Sequence, residues 1–234
     1  RNFSEFKKRL NFYKFFLDYK KINYRKKDFD YYREQQTPHP FMVRHGLEHL
    51  VPFQHPEFEK WTQSLQLGFN TLHEQTNLLI GGGIDDIWHN RDSGELHVVD
   101  YKSTATGRNN TVSLEGHYKK AYKRQIDIYQ WILKDKGFPV SDIGYFVYVD
   151  ADQHGPAGML SSDKNRATMQ FSAVLLPYRG QTDWVDSVIG SIAKTLREDT
   201  CPPHASTGFG RKGVDECEHA RFLKGVANIT AASS

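Results

Sequence analysis

Apolar residues recur along this chain in two rhythms, and the change between them divides it. Over residues 4–20 the aromatics fall near i, i+3 and i+4, which predicts an amphipathic helix starting after a cap at Ser4. Residues 34–42 break that pattern, because Pro38 and Pro40 resist helix. A short helix is expected over 43–51, and a longer one over 56–73 opened by Pro56-Glu57. From residue 77 the rhythm becomes strand-like. Asn77–His89 and Glu95–Ser103 read as two strands joined by Arg91-Asp92-Ser93-Gly94, a good hairpin turn. Gly81-Gly82-Gly83 lies inside the first of them. It lacks the Gly-Lys-Ser/Thr ending of a phosphate loop, so it marks a close backbone approach or a bulge.

Residues 104–116 are polar and rich in Gly, Asn and Thr, which predicts a loop. A helix follows over 117–136, ended by Gly137 with Pro139 beyond. Ile143–Asp150 and Met169–Pro177 read as strands separated by a loop over 153–166. Thr182–Asp199 predicts an amphipathic helix stopped by Pro202-Pro203, and the tail beyond it is expected to be ordered only near 216–222. Helix, strand, strand, helix, strand is the order of one α/β core. We therefore expect a single domain over 1–234: an N-terminal helical region (1–42), a core (43–200) and a tail (201–234).

Composition adds limits. Apolar residues make up 38% of the 234, enough to fill a core, and no apolar run approaches ~18 residues, so no membrane span is expected. Two cysteines, Cys201 and Cys217, make no disulfide framework, and a reducing, cytoplasmic setting is the expectation. The chain begins at Arg1 without an initiator Met or a signal pattern, as a fragment would. The net charge of +3 is unevenly spread: residues 1–30 hold ten Lys/Arg against four Asp/Glu, interleaved with aromatics. That mixture suits a polyanion, since cations meet phosphates while rings stack on bases, and equally suits a helix that buries its rings.

The chemistry starts at the hairpin. If residues 91–94 form a four-residue loop, opposed residues sum to 185 and Asp85 falls opposite Asp100. Alternation then puts Asp100 and Lys102 on one face, with Val99 and Tyr101 on the other. Two opposed carboxylates repel unless a cation lies between them. Hard Mg²⁺ or Mn²⁺ prefers oxygen ligands, polarises a phosphoryl oxygen and lowers the pKa of a bound water. A lysine two residues away positions or deprotonates that water and offsets developing negative charge. On the next helix, Gln125 and Tyr129 are i and i+4 and share a face.

Gly83-Ile84-Asp85, then Asp100-Tyr101-Lys102, then Gln125-x3-Tyr129 resemble the PD-(D/E)XK nuclease superfamily, and the Gln-x3-Tyr element resembles its RecB-like exonuclease branch. Gly46-Leu47-Glu48-His49 fits the Gly-x-x-His element which that branch carries on an upstream helix. The resemblance implies a restriction-endonuclease-like core, a central mixed sheet flanked by helices. It implies metal-dependent hydrolysis of DNA, exonuclease-like, on single strands or duplex ends. By the same resemblance Asp85 and Asp100 bind metal, the Tyr101 carbonyl adds a ligand, His49 adds another, and Lys102 assists the nucleophilic water. Gln125 and Tyr129 would orient Lys102 or the scissile phosphate, and Asp86 has a lesser role.

Some members of this branch hold an iron–sulfur cluster with one cysteine near the N-terminus and three near the C-terminus. This chain has no cysteine before Cys201 and only Cys217 where a pair would stand, so no such cluster is expected. Lys119, Lys120, Lys123 and Arg124 are candidates for gripping DNA phosphates. The competing reading is a catalytically silent nuclease fold that binds nucleic acid or a protein. Such relatives usually lose the Asp or the Lys, and both are present here.

Overall fold

The computed structural model describes residues 27–66, 68–105, 111–152, 170–200, 205, 207–208 and 214–232. The helix expected over 4–20, the loop expected over 153–166, and Cys201 lie outside them. In chain order the elements are α1 (27–35), α2 (Pro40–Arg44), β1 (Leu50–Pro52), α3 (Phe58–Trp61), β2 (Phe69–His73), β3 (Leu78–Gly82), β4 (Asp86–Asn90), β5 (Leu96–Thr104), α4 (Lys119–Asp135), β6 (Ile143–Asp152), β7 (Gln170–Arg179), α5 (Val185–Arg197) and α6 (Glu218–Ala232).

Five strands form one mixed sheet in the order β1-β4-β5-β6-β7. The β5–β6 pair is parallel, and α4 makes the crossover that a parallel pair requires. All other neighbours are antiparallel. This is the α/β, restriction-endonuclease-like arrangement expected from the sequence. Helices cover both faces. Leu96, Val98, Phe146 and Tyr148 pack with Ile126, Ile132 and Leu133 of α4. Val99, Tyr101, Tyr145 and Val147 face the other way, against Phe29 of α1 and Phe41 and Met42 of α2. The core therefore includes residues before 43.

The β4–β5 hairpin follows the expected register: Asp86 pairs with Val99, Ile87 with Val98, and Asn90 N–H donates to Glu95 O at 2.9 Å. Asn90 Oδ1 caps the turn by accepting from Asp92 and Ser93 N–H, and Gly94 takes a positive φ of 76°.

Three expectations need correction. Residues 43–51 are not a helix: α2 ends at Arg44, Gly46 turns the chain at φ 70°, and Leu50–Pro52 join the sheet. Residues 56–73 are not one helix either, because Phe69–His73 pair with Leu78–Gly82 in a separate two-stranded sheet. The run 77–89 is two strands. The chain leaves β3 at Gly82 and enters β4 at Asp86, and between them Ile84 N–H donates to Trp61 O at 3.0 Å instead of to β5. Gly83 permits this detour, since a Cβ there would lie 2.6 Å from the Ser64 Cα and N atoms. The tail is more ordered than expected, because α6 runs to Ala232.

Candidate active site

The break between β3 and β4 creates the site. β5 runs on to Thr104 while its partner begins only at Asp86, so among the described residues no strand pairs with that edge of β5 beyond Asp100. The Asp85 side chain fills the gap: its Oδ2 accepts the Tyr101 backbone N–H at 3.0 Å. Asp85 and Asp100 are thus brought to neighbouring positions on the hairpin, as the register predicts. Asp100 is 1% exposed, whereas Asp85 is half-buried. Asp85 opens on a cleft of about 470 Å³ whose walls carry Asp30, Glu34 and Glu59.

Lys102 shares a face with Asp100. Its Nζ lies 2.8 Å from Asp100 Oδ1 and 2.6 Å from Oδ2. A chain of polar contacts continues onto α4. Lys102 Nζ donates to Gln125 Oε1 at 3.4 Å, and Gln125 Nε2 donates to the Tyr129 hydroxyl, also at 3.4 Å. The Tyr129 hydroxyl donates to Gly83 O at 2.9 Å, which closes the circuit on the segment that carries Asp85. Burial raises the Tyr129 pKa, and the Asp85 and Asp100 carboxylates raise it further, so the hydroxyl stays protonated and able to donate.

Asp86 points into a different network. Arg33 Nη2 donates to Asp86 Oδ1 at 2.7 Å and Nη1 donates to Phe53 O at 2.7 Å. The Tyr101 hydroxyl donates to Asp86 Oδ2 at 2.7 Å. Asp86 and Arg33 are both buried, and the paired guanidinium rests 3.9 Å over the Phe58 ring. Burial, followed by Asp86, holds the Tyr101 phenol well above its usual pKa, so it stays a donor. Tyr101 therefore fixes both acids, Asp85 through its N–H and Asp86 through its hydroxyl. The sequence reading missed Arg33. It lies 53 residues from Asp86, and no local pattern connects them.

One expected site residue falls elsewhere. Leu50 pairs with Asn90, and the His49 carbonyl accepts from Arg91 N–H at 2.9 Å, so His49 stands beside the hairpin turn. Asp85 adjoins the opposite end of β4, on the order of 15 Å away along the strand. Gly46-x-x-His49 is a turn here, not part of a helix, and His49 adjoins Arg91 rather than Asp85 or Asp100. Lys119 differs from its neighbours on α4. It is buried with its ammonium against Tyr148, whereas Lys120 and Arg124 are exposed and Lys123 is half-buried. Burial, and then the nearby Lys102, lowers the Lys119 pKa.

The donor set suits a hard divalent cation: two carboxylates against one ammonium leave net negative charge, and hard cations take oxygen ligands. Among the described residues no group of three or more His, Cys, Asp or Glu side chains gathers into a metal cluster. A cation would be held by Asp85 and Asp100 with main-chain and solvent oxygens, sharing Asp100 with Lys102.

A family model of the PD-(D/E)XK nuclease superfamily matches residues 29–219. The chain belongs to that superfamily, which directs the site toward nuclease-type phosphodiester hydrolysis. No curated protein and no solved structure matches it. Among the described residues no helix is long and apolar enough to cross a membrane.

Proposed function

We propose that this protein is a Mg²⁺- or Mn²⁺-dependent deoxyribonuclease of the RecB-like branch, acting as an exonuclease on single strands or duplex ends. The observation that carries the reading is the unbroken polar circuit from Asp100 through Lys102, Gln125 and Tyr129 to the segment of Asp85. When bound, the metal ion would activate water and polarise the phosphoryl group.

The protein's own groups divide the remaining work. Asp85 and Asp100 hold the cation, together with the Tyr101 carbonyl. Lys102, steadied by Asp100 and Gln125, positions the attacking water and balances charge on the phosphoryl oxygens. Tyr129 orients Gln125 and pins Gly83, keeping Asp85 in register with β5. Lys120, Lys123 and Arg124 line an open groove of about 690 Å³ with Tyr178 and Trp184. Cations and rings there suit a single strand, whose phosphates and bases want both.

The experiment is cleavage of end-labelled single-stranded and duplex DNA with Mg²⁺, Mn²⁺ or EDTA. Wild type should release label in a metal-dependent way, while Asp100→Ala and Lys102→Ala should lose at least about 10²-fold in rate. Equal activity in all three proteins, or DNA bound but uncut in every metal, would sink the proposal.

A further inference from the structure

Lys119 has a position that the chemistry above does not use. It is 7% exposed, in the first turn of α4. Its ammonium donates to the Tyr148 hydroxyl at 2.5 Å and stands 5.4 Å from the centre of the Tyr122 ring. Lys102 Nζ stands 4.6 Å from that same ring, and β6 pairs Tyr148 directly with Lys102. The two ammoniums share one aromatic wall.

Their circumstances differ. Lys102 is neutralised by Asp100. Lys119 has no carboxylate partner among the described residues, only the Tyr148 hydroxyl and the faces of the Tyr118, Tyr122 and Tyr148 rings. The phenol is itself kept protonated, since burial raises the Tyr148 pKa. The surroundings add to the positive potential rather than relieve it. The N-terminal end of a 17-residue helix carries the positive end of its dipole, and the first turn has no acidic residue. The rings offset part of the cost of burying this ammonium, but they leave its charge unneutralised and open to an arriving anion. When one does arrive, a cation already fixed in place stabilises it without further reorganisation.

We propose that Lys119 is a phosphate-binding residue of this site: held by Tyr148, its ammonium takes an oxygen of the substrate phosphodiester beside Lys102. The role rests on the phosphodiester substrate proposed above. It is separate from that of Lys120, Lys123 and Arg124, which line the groove toward Tyr178 and Trp184.

The test measures binding first and turnover second. The full chain is titrated into a fluorescently labelled single-stranded oligonucleotide in Ca²⁺ at several salt concentrations, as wild type, Lys119→Gln, Lys119→Met and Lys119→Arg. Lys119→Gln and Lys119→Met should bind about tenfold more weakly, and the slope of log K against log salt should become shallower by about 0.7, one phosphate's share on a single strand. Lys119→Arg should keep the wild-type slope. Melting curves identify which variants are folded, and either neutral variant suffices. A folded neutral variant with wild-type affinity and slope overturns the proposal, as does a wild type that binds no DNA. Cleavage in Mn²⁺ separates the two ideas. DNA bound through Lys119 but never cut removes the hydrolysis and leaves the phosphate seat. DNA cut normally by a neutral variant with an unchanged slope removes the seat and leaves the hydrolysis.

Discussion

The Lys102 ammonium donates to Asp100 Oδ1 at 2.8 Å and stands as an ion-pair partner 2.6 Å from Oδ2. The two residues come from one face of one strand, and the carboxylate is almost wholly buried. Removing the lysine strands a buried charge. Lys102→Met should cost about 3–5 kcal/mol in metal-free buffer. Saturating Mn²⁺ should restore part of that, as ligand binding to the folded state does. Urea unfolding with and without metal checks both, and a variant as stable as wild type in EDTA would show that the pair contributes nothing in solution.

Arg33 of α1 holds Asp86, and Asp86 in turn holds the Tyr101 hydroxyl. Arg33→Met should destabilise the fold by about 3–5 kcal/mol, because Asp86 loses its countercharge. Tyr101→Phe removes one hydrogen bond while Arg33 remains, and should cost only about 1 kcal/mol. Chemical denaturation distinguishes the two, and equal losses would mean that the guanidinium is not the main support.

The strand break at Gly83 is held from two sides, by Ser64 packing on its Cα and by Tyr129 on its carbonyl. Gly83→Ala should cost about 1–3 kcal/mol through overpacking. Tyr129→Phe should cost about 1 kcal/mol through the lost hydrogen bond. The double variant should lose less than the sum, since both act on one segment. Strict additivity in thermal melts would separate Tyr129 from the placement of Asp85.

His97 makes stability depend on pH. Its Nδ1 lies 2.8 Å from Ile143 O, and burial lowers its pKa below the ordinary 6.5. The unfolded chain therefore takes up the proton first as pH falls. The contribution is whole above 6.5 and is lost progressively as pH drops from there toward the folded-state value. His97→Asn retains a donor for Ile143 and cannot titrate. Its melting temperature should fall less between pH 7 and pH 5 than that of wild type, and parallel curves would refute the assignment.

Much of the architecture was legible before any coordinates. The 91–94 turn fixed a register, alternation placed Asp100 and Lys102 together, and helical spacing put Gln125 and Tyr129 on the same face of α4. Where the reading failed, a local rhythm was overridden from afar. Phe58, Trp61, Leu65, Phe69 and Leu72 have helical spacing, yet Leu65 is 99% exposed and Phe69 lies in a strand, because β3 arrives to pair with it. Val43, Leu47 and Leu50 mislead in the same way, and the positive φ at Gly46 ends that helix. His49 moved with its element, to the hairpin turn beside Arg91. His49→Ala should leave Mn²⁺ affinity, measured by calorimetry, unchanged. Arg33 and Tyr148 were invisible because their partners come from distant segments, reached only through the folded sheet.

Asp85 and Asp86 are adjacent in sequence, and nothing in their chemistry distinguishes them. The fold does, committing one to the Tyr101 N–H and the other to Arg33 and the Tyr101 hydroxyl. The doublet is therefore no spare. Neither acid can deputise for the other, and a loss at either position should be repaired only by restoring that same residue. Two neighbouring codons that look redundant should each be intolerant of change, one through catalysis and the other through folding.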